Sequence, residues 1–110
     1  MVVELGYFTL PVADVAKAQK FYGALFGWTF EPGSTHVSNT KFPLGISEGG
    51  PANLPHVYFR VDDIDIAANR VTELGGEVRE RHAYPSGPNA VCADDQGTVF
   101  SLWQPAPGYE

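Results

Sequence analysis

Residues 7–28 read YFTLPVADVAKAQKFYGALFGW, and residues 56–77 read HVYFRVDDIDIAANRVTELGGE. When Tyr7 is placed over His56, the two stretches align at a constant offset of 49 residues. The identical pairs are Val12 with Val61, Asp14 with Asp63, Ala18 with Ala67, Leu25 with Leu74, and Gly27 with Gly76. Because internal repeats are built from copies of one supersecondary unit, this alignment predicts that the two halves fold alike.

Each copy begins with the alternation of a half-buried strand and continues with the periodicity of a helix. Asp14 and Asp63 stand where a helix N-cap is needed, since an aspartate side chain accepts hydrogen bonds from the first free backbone N–H groups. Apolar residues then follow at spacings of three, four and three, which form one stripe on a helix. They are Val15, Ala18, Tyr22 and Leu25 in the first copy, and Ile64, Ala67, Val71 and Leu74 in the second. Gly27 and the pair Gly75-Gly76 end the helices.

After each helix the apolar period returns to two, which predicts three more strands in each copy. In the first copy these are WTFE (28–31), THVSN (35–39) and KFPLGIS (41–47), and in the second EVRER (77–81), NAVCA (89–93) and TVFSLW (98–103). DDQG (94–97) predicts a hairpin turn between the last two strands. We therefore expect an α+β domain over residues 1–110, with unit one at about 1–49, a Pro/Gly-rich linker at about 48–55 and unit two at about 56–110.

Composition narrows the classes of function. The chain has 110 residues, of which 44% are hydrophobic, and a formal net charge of −6. A net acidic surface repels phosphate backbones, so nucleic-acid binding is not expected. No apolar run approaches the roughly 18 residues of a membrane span, and the first residues lack a basic leader region, which favours a cytoplasmic location. The single cysteine, Cys92, excludes an intramolecular disulfide and suits a reducing compartment.

A duplicated βαβββ unit containing LPVADVAKAQKFYGALFGW (10–28), VDDIDIAANRVTELGG (61–76) and DDQGTVFSLWQP (94–105) resembles the vicinal oxygen chelate superfamily, which includes glyoxalase I, bleomycin-resistance proteins and extradiol dioxygenases. The resemblance covers nearly the whole chain. It implies that the strands of the two units form curled mixed sheets around a cavity. It also implies a homodimer and, in the enzymes of the superfamily, a divalent metal that chelates two adjacent oxygen atoms of the substrate.

The resemblance places one metal ligand on the first strand and one on the last strand of each unit. His56 matches such a position on the first strand of unit two, whereas Tyr7 stands at the equivalent place in unit one. Ser101 replaces the usual glutamate of unit two, and Gly45 or a neighbour stands in unit one. A protonated phenol and a neutral hydroxyl are poor ligands for a divalent cation. We therefore expect no metal cofactor, and a weak site that uses His56 is the less favoured alternative.

Strand alternation predicts which side chains leave the core. Phe8, Leu10, Val12, Val57, Phe59, Val61, Phe100 and Leu102 are expected to face the helices. The opposite side then carries Tyr7, Thr9, His56, Tyr58, Arg60, Val99, Ser101 and Trp103. Ligand pockets combine apolar walls with a few polar groups in this way, although tyrosine, threonine and arginine are also ordinary on strands. We predict ligand binding by Tyr7, Thr9, His56, Tyr58, Arg60, Ser101 and Trp103.

Several of these side chains fit more than one role. His56 is a candidate general base, although a hydrogen-bonding residue of the binding surface is the favoured role. Arg60 fits a ligand carboxylate or an ion pair with Asp62, and YPSGPN (84–89) fits a mobile flap or a plain connection. Cys92 is expected to be a small core residue.

Three classes of function follow. The favoured one is a metal-free protein that binds a small aromatic or cationic molecule, as bleomycin-resistance proteins do, and is not an enzyme. The first alternative is a metal-dependent lyase, isomerase or dioxygenase of the same superfamily, or a metal-free enzyme, that uses His56. The second alternative is a dimeric regulatory or structural module without a ligand. Fold alone does not choose among them.

Overall fold

The computed structural model describes residues 2–49 and 55–109, so that residues 50–54 of the expected linker lie outside the described part. The α+β class predicted from the sequence is confirmed. The elements are β1 (Leu5–Val12), α1 (Val15–Phe26), β2 (Leu44–Glu48), β3 (His56–Arg60), α2 (Ile64–Glu73), β4 (Glu77–Tyr84), β5 (Gly87–Ala93) and β6 (Val99–Trp103). In the described part of the chain, neither helix is long and apolar enough to cross a membrane.

The chain forms two compact units. The N-terminal unit is Tyr7–His56, and the C-terminal unit combines Met1–Gly6 with Val57–Glu110. The first unit therefore contains α1, β2 and most of β1, and the second contains α2, β4, β5, β6 and most of β3.

Helix α1 begins and ends where the sequence predicted. The Asp14 side chain accepts a hydrogen bond from the backbone N–H of Lys17 at 3.0 Å, which satisfies one of the free donors of the first turn. Gly27 ends the helix with φ 73°, a left-handed conformation that glycine adopts without steric cost. Ala18 is buried, but Leu25 is 59% exposed, so the predicted apolar stripe is covered only in the earlier turns of α1.

Strands β1 and β2 pair in parallel, and Leu44 and Ile46 of β2 are buried beside Phe8 and Leu10 of β1. This pairing agrees with the predicted core side of β1. The prediction of continuous strands at 28–31 and 35–39 is wrong. Only the isolated bridges Phe30–Val37 and His36–Gly45 form there.

Side-chain hydrogen bonds explain why no ladder forms in this segment. Asn39 accepts from the backbone N–H of Thr29 at 3.0 Å and donates to the Gly27 carbonyl at 2.9 Å, and the Ser38 hydroxyl donates to the Thr29 carbonyl. Such bonds compete with strand pairing for backbone groups. A tight turn at Gly33, with φ 76°, also interrupts the chain.

In the C-terminal unit, the strand order is β3-β6-β5-β4, with β3 parallel to β6 and the other pairs antiparallel. The turn predicted at DDQG is confirmed, since the Asp94 carboxylate accepts from the backbone N–H groups of Gln96 and Thr98. These bonds lower the pKa of Asp94. A bulge between Val78 and Glu80 adds one residue to β4.

Helix α2 covers one side of this four-stranded sheet. Asp63 accepts hydrogen bonds from the backbone N–H groups of Asp65 and Ile66, and the predicted N-cap is confirmed. The core between the helix and the sheet contains Val61, Ile64, Ala90, Cys92 and Leu102, with Phe59, Ala67, Val71, Val78 and Phe100 packed around it. Cys92 is therefore the core residue that was expected, and burial raises the pKa of its thiol. Leu74 lies beyond α2 and is 64% exposed, contrary to the predicted stripe.

Candidate functional site

The side of the C-terminal sheet away from α2 carries two rows of side chains. In the first row, Tyr58 of β3 pairs with Ser101 of β6, which pairs with Val91 of β5. In the second row, Arg60 pairs with Trp103, which pairs with Asn89. We call this surface the polar face; it consists of Tyr58, Arg60, Ser101, Trp103, Val91, Asn89 and their β4 partners Glu80 and His82.

The residues that alternate with those of the polar face along the strands show why the polar face points away from the core. Phe59 pairs with Leu102, which pairs with Ala90, and all three pack in the core beneath α2. Arg81, next on β4, forms an ion pair with Asp65 of α2 at 2.7 Å. Because successive side chains of a strand alternate, the neighbours of these residues must project from the other side. The structure thus brings four of the predicted site residues together, namely Tyr58, Arg60, Ser101 and Trp103.

The centre of the polar face is buried and its margin is more open. Ser101 is fully buried and Asn89 is 7% exposed, whereas Tyr58 and Trp103 are half-buried. Burial raises the pKa of Tyr58, and the nearby phenol of Tyr84 raises it further. Tyr58 therefore keeps its proton at neutral pH and presents a neutral O–H group.

Trp103 is held in one orientation by two contacts. Its indole Nε1–H donates to the Ser86 carbonyl at 3.1 Å, and the Arg60 guanidinium carbon lies 5.8 Å from the ring centroid. Arg60 thus makes a cation–π contact, and no ion pair joins it to Asp62 within the described residues. A tryptophan fixed in this way offers a preorganised aromatic surface that pays little entropy on binding a ligand.

Within the segment 84–89, residues 85–86 form a tight hairpin turn, and the other residues belong to the ends of β4 and β5. The Ser86 carbonyl accepts from the backbone N–H of Ala106 at 2.8 Å as well as from Trp103. The Pro88 carbonyl accepts from the N–H of Gln104 at 3.1 Å. These bonds tie the turn to the chain that follows β6, and they favour the plain connection over the mobile flap.

Asn89, Glu80 and His82 belong to the polar face but were not predicted. Asn89 lies between Trp103 and His82 in the second row. His82 stacks on Tyr84 with ring centroids 5.5 Å apart, and its Nε2 is 3.7 Å from Glu80 Oε2. The alternation in NAVCA contains this information, because the small core residues Ala90 and Cys92 leave Asn89 and Val91 for the other side.

In the N-terminal unit, the predicted residues Tyr7 and Thr9 lie near Gly45. Thr9 pairs with Gly45 in the β1–β2 register, and the Tyr7 hydroxyl lies 3.2 Å from His36 Nδ1. The Tyr7 and His36 rings are stacked, 5.7 Å between centroids. A Cβ atom added to Gly45 would collide with the Tyr7 hydroxyl and lie 3.0 Å from the Thr35 carbonyl oxygen. The Tyr7 phenol therefore fills the space that a side chain at position 45 would need.

His56 is the first residue of β3 and the last residue of the N-terminal unit. It is half-buried, and burial lowers its pKa. Since removal from water disfavours the charged form, the imidazole is neutral at pH 7.

A family described as "Glyoxalase-like domain" matches residues 7–103, most of the chain. This chain belongs to the glyoxalase-like domain family. The resemblance to the vicinal oxygen chelate superfamily is thereby confirmed.

One curated relative of this glyoxalase-like domain is the anthracycline biosynthesis protein DnrV of Streptomyces peucetius, with 33% identity over an alignment 125 positions long. The alignment covers 89% of this chain and 46% of the relative, so the chain spans about half the length of the curated relative. The DauV protein of Streptomyces sp. strain C5, also named for anthracycline biosynthesis, is 31% identical with the same coverage.

Solved structures show the same fold at low identity. A hypothetical protein from Bacillus halodurans C-125 matches with a TM-score of 0.74 and 13% identity, covering 100% of this chain and 99% of that one. Methylmalonyl-CoA epimerase from Mycobacterium tuberculosis matches with a TM-score of 0.67 and 16% identity, covering 94% and 88%. At these identities the likeness concerns the fold alone.

The residues at the superfamily's ligand positions do not fit a divalent metal in this glyoxalase-like domain. His56 is a good donor, but Ser101 supplies only a buried hydroxyl, and Tyr7 covers Gly45. Among residues 2–49 and 55–109, no group of three or more histidine, cysteine, aspartate or glutamate side chains is arranged to hold a metal ion. Hard and borderline cations need several such donors, so these residues cannot replace the missing ones.

Proposed function

We propose that this glyoxalase-like domain binds a small aromatic or cationic molecule and does so without a divalent metal. The observation that carries the proposal is the contact between Tyr7 and Gly45. Tyr7 stands where the resemblance places one of the four metal ligands, and Gly45 stands at or beside another; the two pack against each other, with the phenol over the glycine. A carboxylate at position 45 would have to displace the Tyr7 ring before it reached a metal.

The polar face supports binding of a small molecule. It combines an indole fixed by two contacts, a protonated phenol and a buried amide on a rigid sheet. Sites built on strands hold their groups more firmly than sites on loops, and a few polar groups among aromatic rings are typical of ligand sites. A planar molecule would stack on the aromatic surface and meet polar groups at its edge.

Two further observations support a small aromatic or cationic ligand. The net charge of −6 favours neutral or cationic molecules over anions. The Streptomyces relatives are named for anthracycline biosynthesis, and we carry over from those names only the expectation of a small organic ligand.

A metal-free enzyme is the second candidate, and the state of His56 favours it. Burial keeps this imidazole neutral, so it is able to accept a proton at physiological pH. The same burial weakens it as a base, because its conjugate acid is destabilised. Binding therefore remains the preferred function, with His56 as a hydrogen-bonding residue rather than a base.

We also propose that the chain acts as a cytoplasmic homodimer. Apolar side chains on the later turns of α1 are exposed: Phe21 at 60%, Leu25 at 59% and Phe26 at 56%. Clustered apolar surface of this kind is typical of protein–protein contacts. Sedimentation of wild type and of Phe21→Ser would test the dimer, since a monomeric wild type contradicts it.

A thermal-shift screen of small aromatic and cationic compounds tests the binding function. A ligand that binds the folded state raises the unfolding midpoint. The two tryptophans provide a matched pair of variants: Trp103→Phe should weaken the best compound at least about fivefold, from loss of roughly 1 kcal/mol of stacking. Trp28 lies in the aromatic cluster of the N-terminal unit with Tyr22 and Phe26. Trp28→Phe should therefore leave the affinity for that compound unchanged. Equal affinities of Trp103→Phe and wild type would contradict the proposed site.

A further inference from the structure

The polar face contains one buried polar atom that is not satisfied by the described part of the chain. Asn89 is 7% exposed, and its Oδ1 atom is buried without a hydrogen-bond partner there. Buried side-chain oxygens in folded proteins nearly always have a partner, so an exception points to a group that comes from outside the chain.

The neighbours of Asn89 direct their polar groups elsewhere. On one side, the Trp103 Nε1–H donates to the Ser86 carbonyl. On the other side, the His82 ring stacks on Tyr84 and its Nε2 lies near Glu80. The remaining residue of this row is Arg60, and its guanidinium lies over the Trp103 ring. The Asn89 side chain therefore lies beside the fixed Trp103 indole, and its Oδ1 atom has no hydrogen-bond donor from these neighbours.

We propose that Asn89 Oδ1 accepts a hydrogen bond from an N–H or O–H group on the edge of the bound ligand. This inference rests on the proposed binding function and narrows the ligand to planar aromatic molecules with a hydroxyl or amino substituent. The ring stacks beside Trp103, and the side chains that cover the amide oxygen move aside as the substituent reaches it. A buried acceptor disfavours a ligand that leaves it unpaired, so Asn89 sets specificity as well as affinity.

Calorimetric titration with two probes tests the proposal. 2-Naphthol carries an O–H donor, and 2-methoxynaphthalene has the same ring and oxygen but no donor. The wild type should bind 2-naphthol about five- to tenfold more tightly, as expected for one buried hydrogen bond. Asn89→Leu removes the acceptor at similar volume, and it should abolish this preference while the methyl ether binds as well as before.

The unfolding midpoint without ligand provides a second measurement. Asn89→Leu should leave the midpoint unchanged or raise it, because it removes a buried acceptor that has no partner. Asn39→Leu is the matched control and should lower the midpoint, since Asn39 both accepts from Thr29 N–H and donates to the Gly27 carbonyl.

The outcomes separate this inference from the binding function. Equal affinity of the wild type for both probes overturns the inference alone and leaves aromatic binding intact; it is the result expected if the amide presented its NH₂ group. A midpoint that falls in Asn89→Leu as far as in Asn39→Leu also overturns it, because Asn89 would then have a structural partner. Failure of both probes to bind overturns the inference, whereas the proposed function falls only if the thermal-shift screen also finds no aromatic or cationic ligand.

Discussion

A single methyl group at Gly45 tests whether Tyr7 occupies the place of a metal ligand. Gly45 is buried in β2 and its φ is outside the left-handed region, so alanine is compatible with its backbone. The new Cβ would collide with the Tyr7 hydroxyl and lie 3.0 Å from the Thr35 carbonyl oxygen. That carbonyl is fixed, because it accepts a hydrogen bond from Ile46 N–H at 3.0 Å.

Two opposing effects determine the size of the change. Replacing glycine by alanine reduces the entropy of the unfolded chain and stabilises the fold by about 0.4–1 kcal/mol. Overpacking of a buried site costs about 1–3 kcal/mol. We therefore expect Gly45→Ala to lower the free energy of unfolding by about 0.5–2 kcal/mol, and the unfolding midpoint by roughly 2–8 °C.

A double-mutant cycle in urea denaturation assigns this cost to Tyr7. Tyr7→Phe removes the hydroxyl that collides, after which the Cβ at position 45 meets the ring carbon Cζ at 3.4 Å, an ordinary contact. Gly45→Ala should therefore cost about 1 kcal/mol less in the Tyr7→Phe background than in the wild type. Additive effects of the two substitutions would refute the argument, as would a Gly45→Ala variant as stable as the wild type.

Two further predictions concern stability. Asp63→Ala should cost about 1–2 kcal/mol and Asp14→Ala about 0.5–1 kcal/mol in urea denaturation, because Asp63 accepts from two backbone N–H groups and Asp14 from one; the reverse order would contradict this account of the caps. Burial lowers the pKa of His56 below its usual value of 6.5, so the unfolded chain takes up a proton that the folded chain resists as pH falls below about 6.5. Stability should therefore fall between pH 7.5 and 5.5, and His56→Gln should lessen that fall; an equal or steeper fall in the variant would show that His56 is not the group responsible.

The fold was predictable because several local patterns agreed at one offset. Asp14 and Asp63 cap their helices, and the glycines that follow end them. The phase of β3 and β6 was also predictable, because Phe59 and Leu102 alternate with the polar residues that form the opposite side. Four of the seven predicted ligand-binding residues consequently lie on the same face in the structure.

Other features depend on interactions that a single sequence does not display. The strands expected at 28–31 and 35–39 are replaced by bridges, because Asn39 and Ser38 bond to backbone groups that a ladder would have used. Leu25 belongs to the predicted apolar stripe but remains exposed, since periodicity does not reveal how far a helix is covered. Asn89 was missed because its place beside Trp103 depends on the register between β5 and β6.

The metal content of the protein tests the central claim most directly. Protein purified without added metal should be analysed by inductively coupled plasma mass spectrometry, with His56→Ala prepared in parallel. Our account predicts that nickel, zinc, manganese and iron are each far below one ion per chain in both proteins. One ion per chain in the wild type that is lost in His56→Ala would contradict it, and would restore metal-dependent chemistry to this glyoxalase-like domain.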